Sequence, residues 1–144
     1  MTHPIVRVTI VVVALVAAGC GASAGASSIG PAASSQAPAG RPSSPASVAV
    51  VMPTAGEIVT GNTVHVVLSL TGAKIVSATT TNIRPDEGHV HLYVDNVLVS
   101  MNYGLEQDLP VHPGTYSLKA EFVAADHVPF SPRVWSSEVL FSVQ

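Results

Sequence analysis

The sequence predicts an all-β antiparallel sandwich, and three observations carry that prediction. After Ser47 short apolar alternations recur between Gly, Pro, Asn and Asp, no stretch keeps a helical period, and a single cysteine leaves stabilisation to an apolar core. With 144 residues there is room for one domain and accessory segments. A formal net charge of −3 without a cluster of Lys and Arg argues against nucleic-acid binding, which requires counterions to be displaced from phosphate.

Val48–Met52 opens the domain and Pro53-Thr54-Ala55-Gly56 turns it. From Thr63 to Leu70, Val64, Val66, Leu68 and Leu70 alternate with His65, Val67 and Ser69, so the better-defined apolar face excludes His65. Gly88–Ser100 reads as a hairpin with arms HVHLYV and VLVS, joined by Asp95-Asn96, a pair that supplies the positive φ angles of a two-residue turn. Thr115–Phe122 sets Tyr116, Leu118, Ala120 and Phe122 against Thr115, Ser117, Lys119 and Glu121, a half-buried strand. Asp126-His127-Val128-Pro129 reads as a loop. Trp135, in a chain poor in aromatic residues, reads as a core plug, and Val139, Phe141 and Val143 mark the last strand.

The order of these segments resembles bacterial immunoglobulin-like domains. The resemblance runs from about Val48 to Gln144 and rests on Pro53-Thr54-Ala55-Gly56 with Gly61-Asn62-Thr63-Val64, on Leu92-Tyr93-Val94-Asp95-Asn96-Val97, and on Pro113-Gly114-Thr115-Tyr116-Ser117-Leu118. Such domains repeat an opening Pro-x-x-Gly turn, a YVDG hairpin and a pGtHtL segment in this order. Asn96 departs from the usual Gly, and Asp126-His127-Val128-Pro129 replaces a common Asp-Gly-Asn loop. The resemblance implies an immunoglobulin-like antiparallel β-sandwich over residues 48–144, with Tyr116 as a tyrosine-corner residue. It implies no function, because these domains serve as spacers, adhesins and ligand binders alike.

Residues 1–19 read as a secretory signal: a short basic start ending at Arg7, then the apolar run Val8–Ala18. That run is too short to span a bilayer, which takes ~20 apolar residues. Leu15-Val16-Ala17-Ala18-Gly19-Cys20 resembles a bacterial lipobox, with Ala17 where Leu is commoner. The resemblance implies cleavage before Cys20 and diacylglycerol on its sulfur, and two acyl chains anchor stably where one binds marginally. Residues 20–47, the lipidated Cys20 and a Gly/Ala/Ser/Pro segment, cannot bury enough surface to fold and read as a flexible tether reaching roughly 30 Å. The expected location is therefore the extracytoplasmic face of a bacterial membrane, with an envelope protein or glycan as partner.

The sharpest chemical feature is Gly88-His89-Val90-His91. Residues two apart on a strand share a face ~7 Å apart, so two imidazoles at this spacing can chelate one copper or zinc ion. His112 and His127, either side of the Tyr116 strand, are candidate further ligands, with Asp86, Glu87 and Asp126 as carboxylates and Met101 for cuprous copper. The competing reading is structural, with imidazoles hydrogen-bonded to neighbouring groups on a sheet surface. The Gly-x-Ser-x-Gly match Gly21-Ala22-Ser23-Ala24-Gly25 falls in the Gly/Ala/Ser/Pro segment, without the strand and helix that make a nucleophile elbow, and neither Asp86-Glu87 nor Glu106-Gln107-Asp108 is a catalytic pattern. The chain is accordingly expected to be a non-catalytic binding or scaffolding module. A metal-binding lipoprotein is the first alternative, and a hydrolase, which would need a nucleophile and base meeting in a cleft, the second.

Overall fold

The alternating segments become strands whose apolar sides meet. The computed structural model describes residues 40–144, so the signal, Cys20 and the tether up to residue 39 lie outside the described residues. Ten strands follow: β1 (Ser47–Met52), β2 (Ile58–Val59), β3 (Thr63–Thr71), β4 (Lys74–Ile75), β5 (Glu87–Val94), β6 (Val97–Asn102), β7 (Glu106–Pro110), β8 (Gly114–Ala124), β9 (Pro129–Trp135) and β10 (Val139–Val143). One sheet has the order β1-β3-β7, the other β2-β10-β8-β5-β4, with β6 paired to β5 and β9 to β8. This is the immunoglobulin-like β-sandwich that the sequence predicts.

Val48, Val64, Val66 and Leu68 of the smaller sheet join Val90, Leu92, Leu118, Ala120, Phe122, Phe141 and Val143 of the larger in one buried core. Each such side chain contributes ~1.5–3 kcal/mol on burial, except the smaller Ala120. Phe122 and Phe130 stack at 5.6 Å between ring centroids. Asp95 and Asn96 take φ angles of 50° and 65° between β5 and β6. Tyr116 donates its hydroxyl hydrogen bond to the carbonyl of His112, 2.9 Å away, closing a tyrosine corner at the start of β8.

The opposite face of the larger sheet departs from expectation. Alternation assigns His89, His91 and Glu121 to the polar side, and they lie there, but all three are buried. Pro129, read as a loop residue, and residues 130–135, which carried no strand pattern, form a strand that pairs with β8 and brings Arg133 to Glu121 on that side. Trp135 is consequently not a core plug. It is partly exposed on the outer face, edge-on to Tyr93 and flanked by the cations of Lys119 and Arg133. Beneath it Glu121 accepts two hydrogen bonds from Arg133, one of 2.6 Å from Nη2, and one of 3.1 Å from the Tyr93 hydroxyl.

Contacts also extend upstream of Val48. Arg41 forks the Asp126 carboxylate with two bonds of 2.8 Å and donates to the carbonyls of Val128 and Pro129. Ser131 donates its N–H to the Pro42 carbonyl at 3.0 Å.

Candidate metal centre

Three of the four histidines singled out in the sequence converge at one end of the larger sheet. His89 and His91 come from β5, where Gly88 lets the strand approach β8 closely: a Cβ at that position would collide with the Val123 carbonyl. His127 comes from the turn between β8 and β9. Its N–H bonds the Ala124 carbonyl at 2.9 Å, and it holds φ at 64°, a left-handed conformation in which His is enriched among non-glycine residues. One ligand nitrogen from each of the three rings lies within 4.8 Å of the others. Bound to one ion at ~2.0 Å, such nitrogens would sit roughly 3.3–3.5 Å apart. His91 Nε2 and His127 Nδ1 are already 3.3 Å apart.

The surroundings favour neutral imidazoles. His89 has a relative exposure of 0% and His91 of 5%. Burial, then repulsion from a charged His127 and His91, lowers the His89 pKa from 6.5 to about 4. Burial, then His127 and Arg133, lowers that of His91 to about 4. Ring nitrogens that are deprotonated at neutral pH are what a metal requires.

His89 is the anomaly. Neither of its ring nitrogens has a hydrogen-bond partner among the described residues. The Val76 carbonyl faces the ring closely enough to favour its charged form, but the contact falls outside hydrogen-bond geometry. A buried imidazole without partners costs ~1–3 kcal/mol per polar group left unpaired. His127 is braced on its far side, where Nε2 lies 3.2 Å from Thr79 Oγ1 and 3.4 Å from the Tyr103 hydroxyl. This leaves Nδ1 directed at the other two rings. Thr79 and Tyr103 carried no signal in the sequence, since both come from connections between strands.

The other candidates are engaged elsewhere. His112 is not in the cluster: it is exposed and lines a groove of ≈ 300 Å³ with Val94, Val99 and Leu109, where its carbonyl serves the tyrosine corner. His65, the remaining histidine of the domain, is exposed and bonds Asp108 at 2.7 Å. Asp126 is forked by Arg41, which holds its carboxyl below the usual range against the opposing effect of burial. Glu87 pairs with Lys74 and Arg84, and Asp86 with Arg84. Met101 is the direct register partner of His91 across β5 and β6, so the two side chains leave the same face.

No family model matches the chain, and no curated protein matches it. Among solved structures it is similar to the fibronectin(III)-like modules of Clostridium thermocellum CbhA, at a TM-score of 0.50 and 20% identity, covering 67% of this chain. The chain spans 45% of that one. The likeness extends to the fold and supports the immunoglobulin-like sandwich.

Proposed function

We propose that this protein is a non-catalytic metal-binding lipoprotein of the bacterial envelope, holding one transition-metal ion between His89, His91 and His127. The observation that carries the reading is His89: a buried, neutral imidazole with both nitrogens unpartnered, against two further imidazoles whose nitrogens lie within 4.8 Å. Imidazole ligation suits copper and zinc. The hairpin and pGtHtL-like segments favour the bacterial immunoglobulin-like type, and the lipobox-like Leu15–Cys20 favours anchoring through diacylglycerol on Cys20 at the extracytoplasmic face.

Two experiments test this. Isothermal titration of the full chain in detergent with Cu²⁺ and Zn²⁺ should give one ion per chain, lost in His89→Ala/His91→Ala and in His127→Ala but kept in His112→Ala. No uptake by the parent chain would end the metal reading and leave a module for an envelope protein or glycan. Cys20→Ala should move the protein from the membrane to the soluble fraction, and unchanged partitioning would refute the anchor.

A further inference from the structure

We infer that the three-histidine centre is built for a monovalent soft cation, cuprous copper, in preference to zinc or cupric ions. The inference rests on the metal-binding reading above and adds the charge and identity of the ion.

Charge decides it. The ligands are three imidazoles, which bring no negative charge, and the site has no anion to spare. Two carboxylates lie near it, and each is already matched by an arginine: Glu121, the cross-strand partner of His91, by Arg133, and Asp126, the neighbour of His127, by Arg41. An incoming ion therefore keeps its whole charge in a site whose two strand ligands are buried. The cost of taking an ion out of water grows with the square of its charge, so a dication pays about four times what a monocation does. Zinc offsets this with thiolates in structural sites and, in three-imidazole sites, with a fourth ligand water that ionises on the metal.

Geometry and softness agree with this. Cuprous copper has no need of a fourth oxygen ligand, and three converging nitrogens satisfy it. Met101, which leaves the sheet beside His91, is the only sulfur on this face among the described residues, and thioether sulfur selects cuprous copper over zinc. Its partial exposure puts it at the rim of the site, where it can receive an ion before the imidazoles do.

The test is competition under anaerobic conditions, using the full chain in detergent with Cys20→Ser so that no thiol competes. Cu⁺ is offered against bathocuproine disulfonate with ascorbate present, and Zn²⁺ against a chromophoric zinc chelator. One equivalent of Cu⁺ should be held about a thousandfold more tightly than Zn²⁺, and Met101→Ala should weaken Cu⁺ about tenfold without changing Zn²⁺. The copper-loaded protein should show a reduction potential above that of aqueous copper. Zinc held as tightly as cuprous copper, and lost in His89→Ala, would overturn the monovalent assignment while sparing the metal centre. Binding of neither ion would overturn both.

Discussion

Burial of His89 and His91 gives the metal-free domain a defined acid sensitivity. Each pKa falls from 6.5 to about 4 on folding, so between these values the unfolded chain takes up protons that the folded chain refuses. Stability is thus full above pH 6.5, falls as the pH drops through the interval, and loses nothing further to these two groups below about 4. Denaturation followed through the single Trp135 should show a lower midpoint at pH 4.5 than at pH 7, and His89→Gln/His91→Gln should remove most of that difference. An unchanged slope in the double variant would assign the effect to other groups. The neighbouring Glu121–Arg133 pair makes a second demand. Glu121 has an exposure of 0%, so Arg133→Met leaves a buried carboxylate without its partner and should cost ~3–5 kcal/mol in chemical denaturation. A change below ~1 kcal/mol would mean that Tyr93 alone, or water, satisfies the carboxylate. Alternation along the strand had put Glu121 on the polar side correctly. It carried no information about Arg133 and Trp135 closing over it, because a strand's periodicity reports which face a residue takes and not what covers that face.

At the scale of elements, the hairpin β5–β6 carries both the fold and two ligands, and its two special positions make different predictions. Gly88 is pressed against the Val123 carbonyl, so Gly88→Val must push β5 from β8 at a cost of ~1–3 kcal/mol and displace His89. Metal affinity should fall in this variant even where the domain stays folded, as read by titration beside circular dichroism. Asn96 stands where a YVDG-type hairpin has Gly, and the structure explains why it is tolerated: it adopts φ 65°, and its Oδ1 accepts a 2.7 Å bond from Lys119 Nζ. Asn96→Gly eases the backbone but loses that bond, so stability should change by less than ~1 kcal/mol, whereas Asn96→Val should cost ~1–2 kcal/mol. β3 and β8 were legible because apolar and polar residues alternate along them, and the hairpin because Asp95-Asn96 supplies the positive φ angles of its turn. Pro129–Trp135 was not, since Pro129 and Pro132 break the strand pattern and its partner is the far half of β8. The same limit hid the choice between His112 and His127. They flank β8 at its two ends, and only the register that sets Gly88 against Ala124 shows that His127 lies at the end of His89 and His91.

Over the whole molecule, the segment upstream of β1 and the three-histidine cluster meet at one residue. Arg41, near the end of the Gly/Ala/Ser/Pro stretch, clamps Asp126, Val128 and Pro129, the turn that presents His127. Its guanidinium both fixes the turn and matches the charge of Asp126, the chain neighbour of His127. Replacing it therefore has two separable effects on the ion. Arg41→Ala frees the Asp126 carboxylate, which gives the site an anion and lowers the penalty for a dication, while the loosened turn holds His127 less firmly. Arg41→Ala should accordingly weaken cuprous copper and strengthen zinc in the same pair of competition assays, and Arg41→Ala with Asp126→Asn should weaken both. A parallel loss of both ions in the single variant would show that Arg41 acts only by holding the turn. No change in either would show that neither the hold of Arg41 on the His127 turn nor the charge of Asp126 bears on the ion.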